Sequence, residues 1–341
     1  MRFLKLRNGS FKLCYSNIRQ GYTAPSRLRL KRSGRKKRNK ESGEIPYLFH
    51  PRVRTLEPII QALRNTKSLI KYELPLKVTS MDDFMCNEVF PQVKSAFSQD
   101  TGVNSLNMED FLMTYINTVW KYGNSYPGLL KQTISYRPGL KVSWSRYGHN
   151  LQISGRTGLL FSSVCALPNF SLSEEVQKTT CKELMGKDEL ISPVFELSQK
   201  MSGMEFDTGF YQDLYPFPQM LVIAEHNWKL DHLVAQAIMF SFGRLFERSV
   251  CKNDASIGDV LREPLSIRAI VLNEQTFSLM CYQLNTLDFD NDDGIKNQLW
   301  LSKPFSATMH KDSKEKSENN NVGLLESSYK DIISFFLYGQ G

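Results

Sequence analysis

The chain has 341 residues, 41% of them hydrophobic and 23% charged, with a formal charge of +8. That composition fills a sizeable core in one or two globular domains, and no apolar run approaches the ~18 residues a membrane helix needs. Cys14, Cys86, Cys165, Cys181, Cys251 and Cys281 form no C-x-x-C pair, which excludes zinc-finger spacing and a dense disulfide framework and fits a reducing interior.

The charge is concentrated at the start. Residues 1–40 hold 14 of the 43 Lys and Arg and no acid, the first carboxylate being Glu41. The basic pI therefore belongs to this arm, and beyond it acids outnumber bases. Plotted at about 100° per residue, Arg2, Lys5, Lys12 and Arg19 share one arc, and Phe3, Leu4, Phe11, Cys14, Tyr15 and Ile18 face the other way. Arg7, Leu6 and Leu13 break this pattern, and Gly9 weakens the helix. An Arg-rich, acid-free amphipathic stretch is the pattern of an import presequence, and a secretory h-region is lacking. Arg29, Lys31, Arg32, Arg35, Lys36, Lys37, Arg38 and Lys40 form a run that can bind phosphates by counterion release. The same run reads equally as a nuclear address or as a solvated arm with no partner.

Ordered structure is expected from Ile45. Val53, Leu56, Ile59, Ile60, Leu63 and Ile70 recur at helical spacing, predicting a helix over Arg52–Tyr72 with Pro58 near its start. Asp82–Ala96 and Asn107–Tyr122 also read as helices. From Lys141 the period falls to two, predicting strands at Lys141–Tyr147, Leu151–Ser154 and Gly158–Val164 joined as a meander. Ser171–Leu184 reads as a helix capped around Ser173, Met220–Ala224 as a buried strand and Asp231–Arg248 as the clearest helix. Leu265–Leu272 and Thr276–Leu284 form a hairpin around Asn273-Glu274. Asn297–Leu301 adds a strand, His310–Asn321 is a polar low-complexity segment, and Ser327–Tyr338 closes as a helix. The expected fold is α+β: N-terminal helices followed by a mixed, largely antiparallel sheet packed with helices. Its divisions are a basic, presequence-like and disordered extension at 1–44, a helical region at 45–135 and an α+β body at 136–341.

No catalytic or cofactor motif assembles. Gly186-Lys187 lacks the upstream glycine of a phosphate loop, and neither G-x-S-x-G nor H-E-x-x-H occurs. Asp288–Gly294 resembles a calcium loop, but its sixth and twelfth positions are Asp293 and Leu299 where Gly and Glu are needed. His226, Asp231 and His232 could be a base or ligand set, although Asp231 at a helix start is explained by the helix dipole. Tyr211, Tyr215 and Phe217, with Pro216 and Pro218, could stack on RNA bases or fill a buried loop. No cofactor, metal or catalytic residue is expected.

Several segments together resemble one family, that of the animal mitochondrial large-subunit ribosomal protein thirty-seven. They are Tyr47-Leu48-Phe49-His50, Leu151-Gln152-Ile153-Ser154-Gly155, Leu190–Leu197, Asp207–Phe210 leading into Tyr215–Pro218, Phe277–Trp300 and Phe335–Gly339. Phe277–Trp300, with Tyr282-Gln283-Leu284-Asn285-Thr286 and Lys296-Asn297, carries most of the likeness, which spans about residues 45–341. A related mitoribosomal protein, once called programmed cell death protein nine, shares the Gln283–Thr286 region and fits the earlier segments less well. The resemblance implies a non-enzymatic structural constituent of the large subunit in the mitochondrial matrix. Its implied partners are large-subunit rRNA and neighbouring mitoribosomal proteins, a related paralogue among them. The rival readings are an RNA-binding adaptor outside the ribosome and a hydrolase built on His226, Asp231 or His232.

Overall fold

The computed structural model describes residues 57–75, 120, 123–124, 126–147, 149–156, 158–185, 214–224, 228–252, 255–273, 276–290, 292–306 and 335–340. The basic arm, the helices expected at Asp82–Ala96 and Asn107–Tyr122 (apart from helical Trp120), the segments Leu190–Leu197 and Asp207–Phe210, and His310–Asn321 lie outside them. Of the closing helix expected at Ser327–Tyr338, residues 335–337 are described and are helical.

The first elements are helix α1 (Pro58–Asn65) and strand β1 (Ser68–Lys71). Pro58 opens α1, where its missing N–H costs nothing. The helix expected to run to Tyr72 ends earlier. The Thr66 hydroxyl bonds back to the Ala62 carbonyl at 2.8 Å, and Lys67 takes φ +50°. This left-handed step redirects the chain into β1. Periodicity alone could not separate Ile70 on a strand from Ile70 on a helix.

A 3-10 turn at Pro127–Lys131 leads to β2 (Gln132–Tyr136), β3 (Gly139–Arg146), β4 (His149–Arg156) and β5 (Leu159–Ser163). Then come helix α2 (Ser173–Gln177), β6 (Phe217–Ala224), helix α3 (Leu230–Lys252), β7 (Val260–Leu272), β8 (Thr276–Thr286), β9 (Asn297–Leu301) and β10 (Phe305–Ser306). The eight-stranded sheet has the order β1-β9-β8-β7-β6-β5-β2, with β10 also on β8. Only β1/β9 and β6/β7 are parallel among these pairs. The fold is thus α+β with a mixed, largely antiparallel sheet, and its long helix α3 lies between β6 and β7 in the chain.

The expected meander does not form. β3 and β4 pair with each other as a separate two-stranded sheet, while β5 inserts between β2 and β6. Burial explains the split. All five residues of β5 are buried, as an interior strand requires, whereas β3 and β4 alternate one apolar face with one polar face. α2 is also shorter than the expected Ser171–Leu184. Its N-cap position is Leu172, and Ser171, not Ser173, reaches into the first turn to bond Glu175 at 2.9 Å.

Helix α3 carries the packing. It is buried almost all round from Leu233 to Glu247, because the sheet lies on one side and the β3–β4 hairpin and α1 on the other. Gly243 permits the approach of the hairpin, since a Cβ there would sit 2.7 Å from Leu140 Cδ2. Phe242 contacts Trp144 edge-on at 4.9 Å between centroids and also meets Phe246 and Phe289. The opposite sheet face is covered by Leu167, Phe170 and the C-terminal turn, with Phe170 against Trp300 and Phe161 against Phe336. No helix among the described residues is long and apolar enough to cross a membrane.

Phe242, at 0% exposure, is the central contact between helix and hairpin. Phe242→Ala is expected to cost about 3–5 kcal/mol in urea unfolding. Leu172→Ala, at a side chain 76% exposed, is expected to stay within about 0.5 kcal/mol.

Candidate functional site

The site that these elements assemble is a buried polar seam at the β1–β9–β8 end of the sheet. At its centre is Asn297. Its Oδ1 accepts the backbone N–H groups of Asn285 (2.8 Å) and Thr286 (3.0 Å), and its Nδ2 donates to the Thr66 carbonyl at 2.8 Å. Asn285 Nδ2 donates to the Lys296 carbonyl at 2.9 Å. Gln283 donates to Asn285 Oδ1 at 2.8 Å, while its own Oε1 accepts the backbone N–H groups of Phe170 and Ser171. All of these side chains are buried to 2% exposure or less, where an unmade hydrogen bond is costly. The Gln283–Thr286 and Lys296–Asn297 motifs are therefore packing devices that join β8, β9, α1 and the segment before α2.

Around the seam, cations are turned onto backbone carbonyls. Arg146, at the end of β3, donates from Nε to the Arg64 carbonyl (2.5 Å) and from Nη1 to the Phe289 carbonyl (2.9 Å). Its Nη2 reaches Asp292 at 2.7 Å, and the Tyr147 hydroxyl also bonds Asp292. Burial lowers the Arg146 pKa, opposed by Tyr147 and Asp292, and burial raises that of Tyr147. Lys296 donates to the carbonyls of Thr179, Thr180 and Gly294 at 3.0–3.3 Å, and burial pulls its pKa down. Lys67 pairs with Asp288 at 3.1 Å. On the other sheet face, Arg268 donates to the carbonyls of Phe335, Phe336 and Tyr338, tying the C-terminal turn to β7.

The acidic stretch Asp288–Asp293 is thus a clasp whose carboxylates diverge, Asp288 to Lys67 and Asp292 to Arg146 and Tyr147. They do not converge on one point, as a calcium loop would require.

The residues singled out in the sequence fare differently. Arg29, Lys31, Arg32, Arg35, Lys36, Lys37, Arg38 and Lys40 lie outside the described residues, as do His226 and Tyr211. Asp231 is exposed in the first turn of α3. His232 packs edge-on to Trp228 at 6.5 Å and burial lowers its pKa. Tyr215 is exposed, and Phe217 starts β6 beneath Arg248 at 4.4 Å. Sequence reasoning does not pick out Trp144, Arg146, Lys296 and Arg268 as a group. Arg268 is a charged residue inside a largely apolar stretch of β7, and Lys296 stands just before β9, which is the signal the sequence offers for these two.

No family model matches this chain. It is 27% identical to Large ribosomal subunit protein mL37 of Bos taurus over 288 residues, covering 78% of this chain and 67% of the relative. It is 26% identical to the mL37 of Gallus gallus over 322 residues, covering 86% and 74%. Against the mL37 of Rattus norvegicus it is 26% identical over 321 residues, covering 86% and 75%. The resemblance read from the motifs is borne out, and the likeness extends over most of the chain.

Two outcomes test the geometry. Arg146→Leu should cost about 1–3 kcal/mol in urea unfolding, since it takes the Arg146 donor from the Phe289 carbonyl, whereas the Arg64 carbonyl keeps the Lys67 N–H. Asp292→Asn should cost under about 1 kcal/mol, because the Asp292 side chain is 45% exposed. Equal losses would mean that the ion pair, not carbonyl capture, holds the clasp. Alkylation mapped by mass spectrometry should label exposed Cys165 and Cys181 in the folded chain. Cys281, buried and with its thiol pKa pushed up by that burial, should stay unlabelled until unfolding.

Proposed function

We infer that this chain is a structural constituent of the large subunit of the mitochondrial ribosome and supports mitochondrial translation by contacts with rRNA and with ribosomal proteins. The observation that carries this reading is the likeness to three vertebrate mL37 proteins over 78–86% of the chain. The seam agrees with it: its donors hold backbone carbonyls and amides of the same chain, which is the work of a scaffold. The reading is non-catalytic and places the protein in the mitochondrion.

The finer assignments extend this reading. Residues 1–44 act as a basic extension, residues 45–135 as a helical region and residues 136–341 as the α+β body. The run from Arg29 to Lys40 contacts rRNA phosphates, which need charge and little shape. A related mitoribosomal paralogue is a neighbour of the body.

Sucrose-gradient sedimentation of mitochondrial lysate tests the assignment. The chain is expected to migrate with the large subunit and to leave that position when rRNA is depleted. A peak at the top of the gradient, or absence from mitochondria, would overturn the reading in favour of an adaptor outside the ribosome. Neutralising the Arg29–Lys40 run behind an independent presequence should weaken ribosome incorporation, with the largest effect at low ionic strength. Unchanged incorporation at every ionic strength would remove the arm from the RNA contacts.

A further inference from the structure

The two faces of the large sheet are closed by unequal means. On one face, Ile267, Ala269, Val271, Met280 and Tyr282 join the core cluster under α3, a helix of 23 residues. Alternate residues of the same strands point the other way. Phe161, Met220, Ile270, Leu279 and Cys281 are buried there, outside that cluster. Among the described residues, this second face is covered by Leu167, Phe170 and the short C-terminal turn over residues 335–340.

Partners distant in the chain hold that turn. Arg268 Nη1 donates to the carbonyls of Phe335, Phe336 and Tyr338. The Phe336 ring meets Phe161 edge-on at 6.4 Å, and the Tyr338 ring stacks on Phe170 at 5.5 Å. At the far end, the Gly128 N–H donates to the Gln340 carbonyl at 3.0 Å. The approach is so close that a Cβ on Gly128 would lie 2.5 Å from that oxygen. Cys281 sits under the turn: it pairs with Arg268 across β7 and β8 and is fully buried.

Arginine suits a removable cover. With the turn in place its N–H groups meet carbonyls, and with the turn away they meet water, so both states satisfy them. A face closed by one short turn also gives up few apolar contacts on opening. Segments of that kind open at a free energy below that of global unfolding.

We propose that residues 335–340 form a latch, held by Arg268 and Gly128, whose opening uncovers the second sheet face and Cys281 while α3 and its core stay folded. The inference is independent of the ribosomal reading above.

The test uses the purified full chain. In native-state hydrogen exchange, the Gly128 and Gln340 amides should exchange about tenfold or more faster, relative to their intrinsic rates, than α3 amides between Leu233 and Phe246. Arg268→Met removes the donor beneath the turn, and Gly128→Ala displaces its far end. Each should let a brief pulse of thiol reagent label Cys281 about tenfold or more above the unaltered chain, with the α3 amides still protected. Charge cannot produce that gain in Arg268→Met. Burial raises the Cys281 pKa and Arg268 opposes the rise, so losing Arg268 would slow the thiol. Phe242→Ala, on the other face, should label Cys281 only together with loss of α3 protection. If Gly128→Ala leaves Cys281 covered, or uncovers it only as α3 is exposed, the latch is overturned. If Arg268→Met alone leaves it covered, Arg268 is not what holds the turn. Should Arg268→Met fail to fold, Gly128→Ala and the exchange ranking of the unaltered chain decide the matter: equal exchange of the turn and α3 would mean that both faces open as one.

Discussion

The carbonyl groups of residues 64–67 impose the constraint on which the rest of the structure depends. A helix end leaves its last carbonyls without partners, and here that end is buried: Arg64, Asn65, Thr66 and Lys67 are all under 9% exposed. Water cannot serve them as it serves a surface helix. Arg146 takes the Arg64 carbonyl, Trp144 Nε1 takes that of Asn65 at 3.0 Å, Asn297 Nδ2 takes that of Thr66, and the Asn297 N–H takes that of Lys67 at 2.9 Å. The donors come from β3 and β9, two elements far apart in sequence. Satisfying one helix end therefore fixes the hairpin, the sheet edge and the acidic clasp relative to one another. A body that must keep one shape among neighbours gains from such a joint, because polar pairing admits fewer alternative packings than apolar contact does.

The sequence made some of this legible, for physical reasons that can be named. α3 and the β7–β8 hairpin were readable because their signals are local. One is a long apolar period, and the other is a turn in which Asn273 Oδ1 accepts the N–H and hydroxyl of Thr276 at 2.7 and 2.9 Å. Strand partners were not readable. β1 lies beside β9, with Ser68 opposite Asn297, and nothing in Ser68–Lys71 announces a partner so distant in the chain. β5 left the expected meander for the same reason. Its place between β2 and β6 is decided by a tertiary site buried on both faces, which also needs Gly158 at φ +57° because a Cβ there would meet the Val222 carbonyl.

The polar seam shows a different limit. Gln283, Asn285, Thr286, Lys296 and Asn297 stood out only as carriers of the family resemblance, and polar side chains of these types serve binding and packing alike. Only the partners separate the two. Asn297 has its oxygen on two backbone amides and its nitrogen on a carbonyl, so its side chain is already used inside the chain and is not presented to a ligand.

The same inward use of polar groups changes how the charge of this protein should be understood. Lys67, Arg146, Arg268 and Lys296 are each 2% exposed or less, and their donors go to carbonyls and to Asp288 and Asp292. A formal count treats them as surface charge, yet they contribute little to the field that a polyanion would meet. This makes the location of the remaining cations matter more than their number. Internal capture of carbonyls thus divides the basic residues: those needed to hold the fold are withdrawn from the surface, and others stay outside, some beside carboxylates, as Arg262 beside Glu263 and Lys71 with Glu175.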